Sequence, residues 1–166
     1  MMKHWWKYQF ERGHAGAEAH KRKPKGFWIE VMTGQYTDLS KQSYPELVVS
    51  LLENAFSKLK KFRTDGKIPE LDDPGLKHEM IKTSITGEEF RFFLRIMEES
   101  LTWAKEALHA DNERRASEWW QRVFGPSFPL TEETSKSVTL LGAAVKPSGL
   151  SFPNRPIMPQ KPQGFA

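Results

Sequence analysis

Few side chains in this 166-residue sequence are spaced for chemistry, and most of those that are carry positive charge. The opening run Lys3-His4-Trp5-Trp6, followed by Tyr8 and Phe10, has apolar bulk to bury and a cation to place. Read alone, it is an amphipathic opening turn whose Lys3 sits in solvent. The densest basic run is His20-Lys21-Arg22-Lys23-Pro24-Lys25. It is open to three uses: a solvated connection, attraction of phosphate at a nucleotide site, or electrostatic binding of nucleic acid. No aromatic residue interrupts the run, which argues against single-strand binding by base stacking and makes nucleic acid the less favoured partner.

Acidic and metal-ligating residues are less well placed. Asp72 and Asp73 are adjacent, so in an extended segment they point to opposite sides, and acids before Pro74 read as turn and cap formers. The histidines are His4, His14, His20, His78 and His109, with no His-x-x-x-His helical pair and no zinc spacing among them. Cysteine is absent, which excludes disulfides, thiolate metal sites and a cysteine nucleophile. No catalytic residue and no metal ligand is assigned.

Helices must position whatever functions. Hydrophobic residues make up 38% of the chain, with six tryptophans and eleven phenylalanines, enough for one domain with a real core. The net charge of +4 and pI near 9.3 permit anionic partners without demanding them. The longest apolar runs fall far short of the roughly 18 residues that span a bilayer, and the start lacks a cleavable signal pattern. A cytoplasmic protein is expected, with no membrane partner.

Met1 to about Arg12 reads as helix, and Gly13 to Lys25 as a loop. Gly26 to about Asp38 reads as a mostly buried helix, with Phe27, Val31 and Met32 on its apolar face and Trp28 and Ile29 widening it. Ser43 and Glu46 form a capping box with Pro45 in the first turn, opening a helix that Asp65-Gly66 closes. Ile68 to Gly75 reads as an irregular, proline-fixed connection. Thr86 and Glu89 cap the longest helix, with Phe90, Phe93, Leu94, Met97, Leu101, Ala104 and Leu108 on its buried stripe. Asp111 caps a last helix to about Phe124, stopped by Gly125-Pro126. Seven of the eleven prolines lie beyond Gly125, so residues 130–166 read as a flexible Pro-rich tail, with a short segment near Val138 to Val145. The expected fold is all-α, four or five packed helices over 1–129 with that extended tail.

Three landmarks together resemble one family: Lys3-His4-Trp5-Trp6, the stretch Lys23-Pro24-Lys25-Gly26-Phe27-Trp28-Ile29-Glu30-Val31-Met32, and Trp119 or Trp120 with Val123-Phe124-Gly125 and Phe128-Pro129. The family is the cGAS- and oligoadenylate-synthetase-like nucleotidyltransferases, particularly their bacterial cyclic-oligonucleotide branch, and the resemblance covers about residues 1 to 130. It implies that Lys3 lies on a helix of the carboxy-terminal lobe and touches the triphosphate of ATP or GTP. In the family that helix continues upstream, so the resemblance implies that Met1 opens the chain partway along it. Relatives often place serine or glutamine near Gly26; here only backbone N–H groups could serve.

The family's chemistry needs a Gly-Ser turn, an Asp-x-Asp or Glu-x-Asp pair and a further acid, because two magnesium ions held between carboxylates catalyse the transfer. This sequence has no Gly-Ser dipeptide and no strand carrying such a set. The resemblance therefore implies the half of a cyclase that clamps nucleotide, inactive alone, with Mg2+ bound only in the complete enzyme. It also implies a role for the end of the tail. In some bacterial defence operons an E1–E2-type conjugating partner joins such a cyclase's small terminal residue to targets, and Gly164-Phe165-Ala166 suits that pattern. The rival readings are a non-catalytic module that presents its tail to a partner, and a basic nucleic-acid-binding domain using Lys21 to Lys25.

Overall fold

In the computed structural model, residues 2–12 and 23–131 are described. Their fold is mostly helical, as the sequence periodicity implies. The helices are α1 (Met2–Lys7), α2 (Gly26–Tyr36), α3 (Tyr44–Leu59), α4 (Phe62–Asp65), α5 (Gly87–Leu108) and α6 (Glu113–Phe124). A π-helical segment, Tyr8–Arg12, extends α1, and a two-residue hairpin lies between α4 and α5.

The 22-residue α5 is the spine, about 33 Å long at 1.5 Å per residue. Its start is fixed by the expected capping box. The Glu89 amide donates to Thr86 Oγ1 at 3.2 Å, while the Thr86 amide donates to Glu89 Oε2 at 2.6 Å. One face buries Phe90, Phe93, Leu94, Met97 and Ala104 as the spacing requires, together with Ile96, Ser100 and Ala107. Leu101 and Leu108 lie at the margin, half-buried and exposed respectively.

Aromatic rings from three helices meet on that face. Phe93 stacks near Phe10 and Phe90 and meets the edges of Trp5 and Trp28 at centroid distances of 5.8–6.2 Å. Each fully buried large side chain contributes about 1.5–3 kcal/mol, so this cluster is the main weld between α1, α2 and α5. Helix α3 packs along α5 with Leu51, Leu52, Ala55 and Leu59 buried, and the Lys105–Glu53 ion pair ties the rims at 2.7 Å.

Several boundaries differ from expectation. The helix that opens after Ser43 stops at Leu59, and a separate turn, α4, ends at Gly66 in the left-handed conformation (φ 64°). Gly66 is the predicted stop, but Lys60 and Lys61 interrupt the run before it. The capping residue of α6 is Asn112, not Asp111: its side chain accepts from the Arg115 amide at 2.8 Å. Both residue types cap well, and one position of register decides between them. Asp111 instead lies 3.7 Å from Arg115. Helix α2 ends at Tyr36, and its buried face is Trp28, Ile29, Val31 and Met32, whereas Phe27 is 56% exposed. Because α2 lies between α1 and α3, a face of four residues is needed and the first-turn ring falls outside it.

The connection expected to be irregular contains strand β1 (Leu71–Asp72), which pairs antiparallel with β2 (Met80–Ile81), Leu71 opposite Ile81. The basic residues His20, Lys21 and Arg22, the segment near Val138 to Val145 and the tail with Gly164, Phe165 and Ala166 lie outside the described residues.

Candidate nucleotide-contact site

The side chains of α1 point to different neighbours. Trp5 is fully buried and donates its indole N–H to Ser100 Oγ at 2.9 Å, anchoring the helix to α5. His4 Nε2 lies 3.0 Å from the Phe124 carbonyl; a carbonyl only accepts, so Nε2 carries the hydrogen. Gln9, buried, donates to the carbonyls of Arg122 and Val123 at 2.7 and 2.9 Å. Helix carboxy-termini leave carbonyls without intrahelical partners. Here α1 and its π-helical extension supply the donors, so the end of α6 and the start of the chain hold each other.

Trp6 faces α2. Its indole N–H donates to the Pro24 carbonyl at 3.1 Å, and the Lys23 ammonium lies over its ring at 4.3 Å. A Cβ on Gly26 would lie 3.9 Å from the same ring, ordinary contact distance, so the two helices do not themselves exclude a side chain there.

Lys3 is one turn before Trp6 and reaches Glu30 of α2, 2.5 Å from Oε1. Since Lys3 meets Glu30 while Trp6 meets Gly26, α1 and α2 run antiparallel. Glu30 is four residues beyond Gly26, on the same side of α2 and roughly 6 Å along its axis. The structure therefore brings the two sequence-predicted site residues, Lys3 and Gly26, to one edge of the α1–α2 pair.

That edge carries Lys3 and Lys25 beside Glu30. Lys25 is the residue before α2, and no side chain caps the helix, so its first N–H groups are left for another acceptor. An uncapped helix start favours anions through oriented N–H groups and the helix dipole. The Lys3–Glu30 pair is mostly in water, the side chains 71% and 45% exposed, so it stabilises the fold by at most about 1 kcal/mol. Little opposes transfer of the ammonium from Glu30 to a competing phosphate.

Among the described residues the acids are not arranged for catalytic metals. Asp73 Oδ1 accepts from the amides of Gly75 and Leu76 at 2.7 and 3.1 Å, a turn-forming role. Glu70 and Asp72 flank Leu71 and, by the alternation of an extended chain, share a side, a Glu-x-Asp spacing overlooked in the sequence. Glu70 is paired with Lys82 at 3.0 Å, and no group of three His, Asp or Glu side chains able to hold a metal exists among the described residues. These residues do not fit the two-magnesium centre of a nucleotidyltransferase.

The described residues thus form a helical unit with Lys3, Lys25 and backbone donors near one edge. Comparison with known proteins gives the lineage. No family model matches the chain. It is similar to a cyclic AMP-AMP-AMP synthase from an Acinetobacter species, 30% identical over 150 residues, which are 87% of this chain and 44% of that protein. It is also similar to a cyclic AMP-AMP-GMP synthase from Enterobacter hormaechei, 24% identical over 162 residues, 98% of this chain and 39% of that protein. Over most of its length the chain is homologous to bacterial cyclic oligonucleotide synthases. It spans less than half the length of either relative. Among the described residues no helix is long and apolar enough to cross a membrane.

Proposed function

We propose that this chain is the nucleotide-clamping helical part of a bacterial synthase that makes cyclic di- or oligonucleotide signals from ATP or GTP in antiphage defence. The observation that carries the reading is the homology: it covers nearly all of this chain and less than half of each relative. In this reading Lys3 leaves Glu30 for the nucleotide's triphosphate, and the uncapped start of α2 at Gly26 offers backbone N–H groups to the same anion. Helix α6, through His4 and Gln9, holds α1 so that Lys3 has a fixed base. The two-magnesium chemistry belongs to a catalytic lobe that these residues do not contribute. The tail from residue 130, ending in Gly164-Phe165-Ala166, is offered to an E1–E2-type conjugating partner.

Supplied with ATP, GTP and magnesium, residues 1–166 alone make no oligonucleotide. Product formation abolished by changing a carboxylate within this chain would overturn the reading. In a titration with ATP followed by backbone amide NMR, the signals of Gly26 and Phe27 shift, and Lys3→Ala reduces the shift with less than about 1 kcal/mol of lost stability. Signals that stay unmoved at millimolar ATP reject Lys3 and Gly26 as the contacts.

A further inference from the structure

A second basic groove lies away from α1, between α4 and α5. It is open to solvent, has a volume of about 500 Å³ and is lined by Arg63, Glu88, Arg91, Phe92, Arg95 and Glu98. Five of these six occupy positions 88, 91, 92, 95 and 98 of α5, the i, i+3, i+4, i+7, i+10 stripe of one helical face. Three guanidiniums therefore meet two carboxylates.

The pairing inside the groove leaves charge over. Glu98 is taken by Arg63, whose Nη2 donates to Oε2 at 2.6 Å. Glu88 lies in the first turn of α5, where the helix dipole favours a carboxylate. Arg95 has no ion pair among the described residues; its guanidinium lies over the Phe92 ring at 4.9 Å. Arg91 has no ion pair among them either. Like charges four apart on one helix face are destabilising, by a few tenths of a kcal/mol.

We infer that this groove is a binding site for a small phosphorylated ligand bearing a di- or triphosphate group. Guanidinium is planar, always charged and forks onto phosphate oxygens, so Arg91 and Arg95, one turn apart and without an ion pair among the described residues, match adjacent phosphoryl groups better than a single carboxylate, and the groove keeps one net positive charge. Arg63, held by Glu98, borders the groove from α4. The volume falls in the range of small-molecule sites, roughly 300–1,000 Å³. The α5 stripe shares no residue with the Lys3–Gly26 edge, so this inference stands whether or not that edge binds nucleotide.

The test uses residues 1–166, titrated at low salt with inorganic pyrophosphate and with ADP, and followed by calorimetry and by NMR of the arginine Nε–H groups. Both probes are expected to move the Arg91 and Arg95 signals along a single saturating curve, whatever is bound at the Lys3–Gly26 edge. Arg91→Gln and Arg95→Gln each weaken binding about tenfold or more, as loss of a charge-assisted pair requires, while Lys3→Ala leaves this site unchanged. Equal affinity for the two probes means that the phosphates alone are recognised; tighter ADP binding means that the nucleoside is also held. Unchanged helicity by circular dichroism shows that each variant is folded. Failure of either probe to bind at millimolar concentration overturns the inference, as does binding lost with Lys3→Ala but kept in both arginine variants. Preference for a single-stranded oligonucleotide over both probes, with a steep salt dependence, overturns it in favour of nucleic acid.

Discussion

Gly125 is where α6 ends and the chain turns beneath Tyr8, and Gly125→Ala tests whether that junction is as tight as the geometry requires. Its backbone has φ 94° and ψ 172°, a region that is essentially restricted to glycine and costs another residue of order 1–3 kcal/mol. A Cβ there would also lie 2.5 Å from Cδ2 and 2.6 Å from Cε2 of Tyr8, too close for any real contact. The backbone has little freedom to escape. The Gly125 amide donates to the Gln121 carbonyl at 2.7 Å, and its own carbonyl accepts from the Phe128 amide at 3.0 Å. The Tyr8 ring has to move instead, an overpacking cost of typically 1–3 kcal/mol. The two terms together give about 2–6 kcal/mol, a large fraction of the 5–15 kcal/mol that holds a typical domain. Urea unfolding of residues 1–166, followed by far-ultraviolet circular dichroism, measures it. The companion is a double-mutant cycle with Tyr8→Ala, which removes the ring and leaves the backbone strain. Gly125→Ala should cost less in that background, falling to about 1–3 kcal/mol. A cost below about 0.5 kcal/mol in the parent, within the scatter of neutral surface changes, would refute the reasoning, and an identical cost in both backgrounds would refute the contact with Tyr8.

Two further outcomes follow from the same junction and from its neighbour α2. Gln9→Leu leaves the Arg122 and Val123 carbonyls without their side-chain donor and should destabilise by about 1–3 kcal/mol for each one left unsatisfied, with faster amide hydrogen exchange in the last turn of α6. The phenol of Tyr36 is raised above its ordinary value of 10.0, first by burial and then by the charge of Asp72. A raised acid favours its neutral form in the folded state, so its contribution is complete below the unfolded value and is lost as pH rises through the folded one. Stability should therefore fall above pH 10, and Tyr36→Phe should flatten that part of the profile. A profile identical in the two proteins would show that Tyr36 is not responsible.

Local chemistry made the helices legible. Thr86 with Glu89 and Ser43 with its apolar stripe mark two starts whose caps depend only on residues three apart. Boundaries set by competing local options were harder to read. Asp111 and Asn112 are adjacent and both able to cap, and the break after Leu59 has no proline or glycine to mark it. Phe27 was assigned to the core because period alone does not show which neighbours a helix will have. The candidate site divides in the same way. Lys3 stands out as a cation beside indoles, but its partner Glu30 is 27 positions away and only the antiparallel packing of α1 on α2 brings them together. The groove of Arg63, Arg91 and Arg95 was missed although its α5 residues have helical spacing, because a charged stripe ordinarily reads as a solvated face.

In the run Lys3-His4-Trp5-Trp6 a candidate contact residue is inseparable from residues that hold the fold. Trp5 fastens α1 to α5, His4 and Gln9 close the end of α6, and Trp6 joins the approach to α2. Lys3 alone has its ammonium largely in solvent and a weak, exchangeable partner. The three structural contacts involve buried or part-buried groups whose loss costs stability, whereas the lysine costs almost nothing to move. Selection for phosphate contact would act directly on Lys3, and selection for its position would act on the residues around it. The motif is thus a cation on a clamped helix, and under the proposed function its neighbours would matter because they fix where the charge is held.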